Sequence, residues 1–289
     1  MKRTLWLFAF LLLGFASAYA QSTGWDGVEK IFGRKGTVQG DMIKVAFPRT
    51  DLKVMVGEVP VDPGLALTSW IGFKKAGKQV MMMGDLVLLE DEVARVTIML
   101  AKEGVEVTSL HNHILNEKPG IMYLHFSGMG KPEELAEAMR STLSLTGTPM
   151  QLQQTATTKT GGTDWSKVES IFGKSGQTKG NLFQVSFPRK ETIQEHGMAI
   201  PPYLGMATSI NMQSAGDKVA TTGDFVLLAD EVNPVVKALI SHNLSVTAIH
   251  SHMLYETPRL FFLHFWGYDN PETIATVLKA ALDKTNIMK

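Results

Sequence analysis

Residues 25–33 read WDGVEKIFG and residues 165–173 read WSKVESIFG, so the chain repeats this stretch at an offset of 140. The tripeptide Phe-Pro-Arg at residues 47–49 returns at residues 187–189 with the same offset. Each repeat has the length of one ordinary domain of roughly 100–150 residues. The duplication therefore predicts two homologous domains.

The repeat and the local composition divide the chain into four segments. The N-terminus has two basic residues, an apolar run and an Ala-rich stretch, the pattern of a cleaved signal peptide. The stretch between the two repeats is rich in Thr, Gln and Gly and lacks apolar periodicity, which is typical of a linker. The predicted segments are a signal peptide at 1–20, a first domain at 21–150, a linker at 151–163 and a second domain at 164–289. We expect an exported, soluble protein that is periplasmic or secreted.

Composition excludes several classes of function. Lys and Arg together number 28, as do Asp and Glu, so the net charge is zero, which argues against a nucleic-acid partner. The chain has no cysteine, so any bound metal must be held by nitrogen and oxygen ligands. After the predicted signal peptide no apolar run approaches about 18 residues, so we expect no integral membrane segment in the mature chain. The composition leaves the oligomeric state open.

Apolar spacing predicts the elements of each repeat. Helix signals alternate with strand signals, and a proline in the first turn marks the last helix. Asp91 and Asp230 are predicted N-caps of the second helix of each repeat. In the first repeat the predicted elements are a helix at 25–32, strands at 42–47, 66–73 and 79–89, a helix at 93–102, strands at 107–115 and 121–128, and a helix from 132. This order predicts an α+β fold of two tandem domains, each a mainly antiparallel sheet with helices packed on one face.

Six of the eight histidines fall in two matching blocks. Each block has the spacing His-x-His-x3-Glu-x7-His. The blocks comprise His111, His113, Glu117 and His125, and then His250, His252, Glu256 and His264. Imidazole and carboxylate groups together suit a divalent ion such as Zn, Mn, Fe, Ni or Cu. The blocks therefore predict divalent-metal binding, with the six histidines as ligands.

The histidine blocks lie on two β-rich runs that are joined by turn-forming residues. A turn centred on Pro119 places His113 opposite His125, and the second copy places His252 opposite His264. Directly opposed residues on antiparallel strands have Cβ atoms about 4.5–5.5 Å apart, close enough to share one ion. Two equivalent sites, or one pocket shared between the pseudo-symmetric halves, are both compatible with this pattern.

Four other residues are candidates for supporting roles. Asp85 and Asp224 each begin an apolar strand after a glycine, from which a carboxylate could orient a metal-bound imidazole. Arg49 and Arg189 follow Phe-Pro in both repeats and could clamp a carboxylate or a phosphate. We therefore expect these four side chains around the histidines.

Three functions are compatible with these residues. The first is a metal-dependent hydrolase of the cell envelope, in which Glu117 and Glu256 are metal ligands or catalytic bases. The second is a non-catalytic periplasmic module whose partner is a small molecule or a metal ion. The third is an envelope scaffold in which the histidines have no chemical role.

The motifs together resemble one family. The set comprises Trp-x-x-Val-Glu-x-Ile-Phe-Gly, Phe-Pro-Arg, Gly-Asp-Leu/Phe-Val-Leu-Leu and a His-x-His run followed by Leu-His-Phe, and it resembles the LppY/LpqO family of exported bacterial proteins. The resemblance covers nearly all of the mature chain, once per repeat. It implies export and a shared fold, and it supplies no reaction or cofactor. The named members look like lipoproteins, whereas this chain has no cysteine, so a lipid anchor is not implied.

Overall fold

The computed structural model describes residues 24–151, 163–242 and 244–288. The predicted signal peptide lies outside the described residues, as does nearly all of the predicted linker. None of the helices in these three ranges is long and apolar enough to cross a membrane.

Each repeat forms its own set of helices and strands. The first repeat contains α1 Asp26–Phe32, β1 Thr37–Gln39, β2 Met42–Pro48, β3 Val54–Val56, β4 Val59–Val61, β5 Thr68–Ala76, β6 Gln79–Leu89, α2 Glu90–Lys102, β7 Glu106–His111, β8 Glu117–Lys118, β9 Ile121–Gly130 and α3 Pro132–Leu143. The second contains α4 Ser166–Phe172, β10 Gln177–Lys179, β11 Leu182–Pro188, β12 Ile193–Glu195, β13 Met198–Ile200, a 3-10 turn at Pro202–Leu204, β14 Ala207–Ala215, β15 Lys218–Leu227, α5 Ala229–Ile240, β16 Ser245–His250, β17 Phe261–Asp269 and α6 Pro271–Leu282.

The two repeats build equivalent six-stranded sheets. The strand order is β1-β2-β5-β6-β9-β7 in the first sheet and β10-β11-β14-β15-β17-β16 in the second. All neighbouring strands are antiparallel. The α+β prediction of two tandem, mainly antiparallel domains is therefore confirmed.

Both faces of each sheet are buried. Along β6, Val80, Met82 and Leu86 pack with the helices of the first domain. The alternate residues Met81 and Met83 pack with residues of the second domain. The helices therefore cover one face of each sheet, as predicted, and the other faces of the two sheets pack against each other.

Short hairpins extend across the interface between the two sheets. Val54 and Val61, on the β3–β4 hairpin, share an apolar cluster with Leu182 and Trp266 of the second domain. In the same way, the β12–β13 hairpin packs on methionines of the first domain. Because each domain contributes to the apolar core of the other, this interface resembles the interior of a single domain.

The second helix of each repeat begins earlier than predicted. The N-caps are Leu89 and Leu228, so the prediction that Asp91 and Asp230 cap these helices is wrong. Three residues into the first of these helices, the Glu92 carboxylate accepts a hydrogen bond from the Leu89 backbone N–H at 2.9 Å. This carboxylate supplies the capping that an Asp N-cap would otherwise give.

The predicted register of the histidine strands is wrong. In the β7–β9 pair, His111 lies opposite Tyr123 and Ser109 lies opposite His125. Strand β7 ends at His111, so His113 lies in the following loop instead of opposite His125. The predicted tight turn does not form because residues 117–118 leave the hairpin and pair with β3 instead. The second repeat has the same register, with Ala248 opposite His264.

Candidate metal centre

The six histidines of the two blocks meet in one cluster between the sheets. Three pairs of rings stack across the two repeats, with centroid separations of 3.6–3.7 Å; the pairs are His111 with His250, His113 with His264, and His125 with His252. The most deeply buried of the six histidines, His264, is only 1% exposed. We call these six residues the histidine cluster. It is one shared centre, and not two separate sites on separate domains.

Two hydrogen bonds between the domains hold the histidine loops in place. The Thr108 hydroxyl donates to the backbone carbonyl of His252 at 2.6 Å. In the second repeat, Thr247 donates to the carbonyl of His113 at 2.7 Å. Each loop histidine is therefore anchored to a strand of the opposite repeat, which carries its ring to the opposite sheet.

The hydrogen bonds of three rings determine which nitrogen carries the proton. His111 Nδ1 lies 2.8 Å from the carbonyl of Asn112, and His250 Nδ1 lies 3.4 Å from the carbonyl of Ser251. His264 Nδ1 lies 3.1 Å from the carbonyl oxygen of the residue before Asp224. A carbonyl can only accept, so each Nδ1 carries the hydrogen and each Nε2 has the lone pair; that of His111 lies at hydrogen-bond distance, 3.0 Å, from His125 Nε2. This is the tautomer that metal-binding histidines adopt.

Several polar atoms in the centre are buried without a hydrogen-bond partner among the described residues. They are Oδ1 of Asp85 and Nε2 of His250, His252 and His264. A buried polar atom without a partner costs roughly 1–3 kcal/mol, so four in one place are unusual. Lone pairs of this kind fit a cation that would satisfy them together.

The two aspartates adjoin the cluster. Asp85 lies opposite His125 in the sheet register, and Asp224 lies opposite His264. The Asp224 carboxylate is 3.1 Å from His264 Nδ1 and 3.8 Å from His113 Nε2. A carboxylate on the far nitrogen of an imidazole fixes the ring and raises its basicity as a ligand.

A glycine precedes each aspartate for a steric reason. A Cβ at Gly84 would collide with the carbonyl oxygen of Trp70 on the neighbouring strand. At Gly223 the collision would be with the carbonyl oxygen of Ser209. The Gly-Asp motif therefore allows the neighbouring strand to approach closely beside the carboxylate.

Burial controls the protonation of the cluster. It lowers the pKa of His111, His113, His125 and His252, and the neighbouring imidazoles add to this effect. Burial, followed by the charge of a neighbouring imidazole, lowers the pKa of His250 to about 3. These rings are therefore neutral at pH 7, which is the form that binds a metal.

The pKa values of the two aspartates are shifted in opposite directions. Burial and the nearby Asp224 carboxylate raise the pKa of Asp85 well above its usual value. Burial also acts to raise the pKa of Asp224, but interactions with His264 and His113 outweigh it and lower that pKa. The centre therefore contains one carboxylate that is stabilised by imidazoles and one that is not.

The donors come close enough together for coordination. The ligand atoms of His111, His250, His252 and His264 all lie within 4.8 Å of one another, as do those of His113, Asp224 and His264. In addition, His111 Nε2 lies 3.0 Å from His125 Nε2. Two nitrogens bound to one ion at about 2.0–2.1 Å are about 3 Å apart. These histidine-rich groups could hold a metal ion.

The predicted glutamates have other partners. Glu117 accepts a hydrogen bond from the backbone N–H of Ile121, and Glu256 accepts one from that of Leu260. Glu256 also forms an ion pair with Arg259 at 3.2 Å. Neither glutamate belongs to the groups of described residues whose ligand atoms lie within 4.8 Å of one another.

The two predicted arginines are buried in ion pairs. Arg49 pairs with Glu92 at 2.8 Å and with Asp51 at 2.9 Å. Arg189 forms the equivalent pairs in the second repeat, with Glu231 and Glu191. Glu92 and Glu231, the partners at the start of a helix, are also the residues that cap the second helix of each repeat. The arginines thus connect a strand end to a helix.

A small cavity reaches the edge of the centre. Its volume is about 20 Å³, and its lining includes Trp70, Met83, His125 and His252. A space of this size holds one water molecule. A water-sized molecule can therefore reach His125 and His252 through this cavity.

The residues that join the two halves are not among the predicted site residues. Thr108 and Thr247 lie on β7 and β16, three residues before the His-x-His run of each repeat. A threonine in a strand is too common for its identity to indicate a cross-domain bond. The recurrence of Thr three residues before His-x-His in both repeats was the available signal.

The fold and this site define a two-domain α+β protein whose repeats share one histidine-rich centre able to hold a metal. The profile of the family described as Domain of Unknown Function (DUF1259) matches residues 26–145 and again residues 166–284. The chain therefore belongs to this family, and it contains two tandem copies of the domain.

Similarity to other proteins is weak. No curated protein matches the chain in sequence. The solved structures that it resembles include PduB, a trimeric bacterial microcompartment shell protein, with 13% identity, coverage of 87% of this chain and 89% of that one, and a TM-score of 0.21. EtuB from Clostridium kluyveri has 9% identity, coverage of 86% and 90%, and a TM-score of 0.20. TM-scores this low support no inference about the fold or the function.

Proposed function

We propose that the protein binds divalent transition metal between its two domains, with the histidine cluster as the ligand set. The observation that carries this proposal is the arrangement of nitrogens. His250 and His264 each use Nδ1 as a donor and keep a buried Nε2 that has no partner among the residues the structure describes. Neutral imidazoles arranged in this way are ready-made metal ligands.

The ligand chemistry narrows the choice of ion. Nitrogen donors predominate, and the carboxylates of Asp85 and Asp224 are the acidic groups beside them. Imidazole suits Zn, Cu, Ni and Fe, whereas Ca and Mg prefer shells made of oxygen. We therefore propose Zn²⁺ or a neighbouring transition metal as the bound ion.

A non-catalytic binding role has more support than hydrolysis. Glu117 and Glu256, the candidate bases, already accept hydrogen bonds from backbone N–H groups of their own loops. The cavity of about 20 Å³ beside His125 and His252 has room for a water molecule. We therefore propose a metal-binding module whose ion connects the two domains.

The proposed place of action is the cell envelope. The N-terminal signal-peptide pattern and the resemblance to the LppY/LpqO family both support export. A cysteine-free metal site of nitrogen and oxygen ligands suits an oxidising compartment, because it has no thiolate to lose.

Metal analysis of the untagged protein tests this function. We expect at least one equivalent of transition metal per chain, and at least tenfold weaker binding when His111 and His250 are both changed to Ala. The matched control is His242→Ala, because His242 is exposed and lies outside the cluster. Failure of the wild-type protein to bind added Zn²⁺, Ni²⁺ or Cu²⁺ would overturn the proposal.

A further inference from the structure

The two repeats contribute matching residues to the centre. Residues of the first repeat correspond to residues of the second at an offset of 139; the pairs are Asp85 with Asp224, His111 with His250, His113 with His252, and His125 with His264. Contacts follow the same pairing. His113 stacks on His264 at 3.7 Å, and His252 stacks on His125 at 3.7 Å. The histidine cluster with its two aspartates is therefore a pseudo-symmetric pair of similar arrangements.

Each arrangement takes one histidine from the opposite repeat. We define the first half-site as Asp85, His111, His125 and His252, and the second half-site as Asp224, His250, His264 and His113. In each half-site an aspartate and a histidine face each other on neighbouring strands. A second histidine comes from the end of the edge strand, and the third comes from the loop of the opposite repeat.

Two histidines of the first half-site have the spacing of metal ligands. His111 Nε2 and His125 Nε2 are 3.0 Å apart, which fits two ligands of one ion. Asp85 Oδ1 and His252 Nε2 are buried there without a partner among the described residues. These four donors match the three imidazoles and one carboxylate that a mixed nitrogen and oxygen site uses.

The second half-site contains the same residue types, three histidines and one aspartate. His250 Nε2 and His264 Nε2 are buried without a partner in the described part of the chain. The ligand atoms of His113, Asp224 and His264 lie within 4.8 Å of one another. The Asp224 carboxylate lies 3.1 Å from His264 Nδ1, so it orients that imidazole from its far nitrogen, and the three imidazoles are the ligands of this half-site.

Seven donors, the six imidazoles and the Asp85 carboxylate, exceed the needs of a single ion, which takes four ligands as Zn²⁺ and six in an octahedral site. We propose that the centre is dinuclear and binds two divalent transition-metal ions, one in each half-site. This inference rests on the proposed metal-binding function. The ligand atoms of His111 and His252, from the first half-site, lie within 4.8 Å of those of His250 and His264, from the second, so the two half-sites adjoin each other.

Zinc stoichiometry in matched variants tests the dinuclear centre. The full chain is stripped with a chelator, dialysed against Zn²⁺ and analysed for zinc per chain. We expect two ions in the wild-type protein and one in each of His113→Ala and His252→Ala, since each change removes a ligand from a different half-site. The double variant is expected to lose both ions.

The variants Asp85→Asn and Asp224→Asn keep the side-chain volume and provide a second test if an alanine variant fails to fold. Each is expected to weaken one of the two binding events by at least about tenfold while leaving the other unchanged. Wild-type protein that binds a single ion would overturn the dinuclear centre and leave the proposed function intact. Zinc contents that do not fall in the single variants would also overturn it. Absence of zinc from the wild-type protein would overturn both proposals.

Discussion

Zn²⁺ at one hundred times its Kd is expected to raise the free energy of unfolding of the metal-free protein by about 2.7 kcal/mol for each ion bound. The gain arises because the ligands are assembled only in the folded chain, where His111 and His250 stack across the two domains at 3.6 Å. For a chain of this size the gain for one ion corresponds to a rise in Tm of roughly 5–10 °C. Calorimetry of chelator-treated protein with and without Zn²⁺ measures it.

The variant with both His111→Ala and His250→Ala should lose most of this rise, because it removes one ligand from each half-site. His242→Ala should keep the full rise, since His242 lies outside the cluster. An equal rise in the double variant and the wild-type protein would mean that Zn²⁺ stabilises the fold from another location.

Metal-free protein is expected to lose several kcal/mol of stability between pH 7 and pH 5. The pKa of five cluster histidines is lowered in the folded state, that of His250 to about 3. Below about pH 6.5 the unfolded chain therefore binds protons that the folded chain does not, so stability falls as the pH falls. His250 alone contributes about 2 kcal/mol over this interval, because its folded pKa lies well below it. Four other histidines act in the same direction, so the loss is a large part of the stability of a domain, about 5–15 kcal/mol.

Asp85 has the opposite effect on how stability depends on pH. The pKa of Asp85 is raised in the folded state, so between the usual pKa and the raised one the folded chain holds a proton that the unfolded chain releases. This offsets one of the histidine protons, and the net direction remains loss of stability in acid. Urea unfolding of chelator-treated protein across this pH range measures the slope.

Variants identify the source of the acid sensitivity. His250→Asn should make the dependence on pH less steep, because it removes one of the buried imidazoles. His242→Asn changes an exposed histidine and should leave the slope unaltered. A flat stability profile between pH 7 and pH 5 in the metal-free protein would contradict the burial of neutral imidazoles in this centre.

Sequence patterns predict the elements of this fold well because they depend on local physics. The apolar run at residues 79–89 predicts a strand, and β6 has these bounds. The predicted first helix ends at residue 32, as α1 does, and the following Gly33 has a φ of 68°, the left-handed conformation that favours glycine. The predicted start of helix α2 is wrong because its N-cap, Leu89, is apolar, and the capping side chain is that of Glu92 inside the helix.

The candidate site was predictable only in part. The period of two along a strand places Tyr123 and His125 on one face, and both lie in the interface between the sheets. Register depends on the length of the turn, and pairing of residues 117–118 with β3 lengthened it beyond what the Pro-Gly signal indicates. That His113 reaches Asp224 of the other repeat follows from how the two domains pack, which no pattern within one repeat encodes.

Diffraction from zinc-loaded crystals, measured on both sides of the zinc absorption edge, tests most directly whether metal joins the two domains. The account predicts anomalous density inside the histidine cluster, about 2.0–2.1 Å from imidazole nitrogens of both repeats. Density bound by histidines of a single repeat, or no density between the sheets, would contradict it.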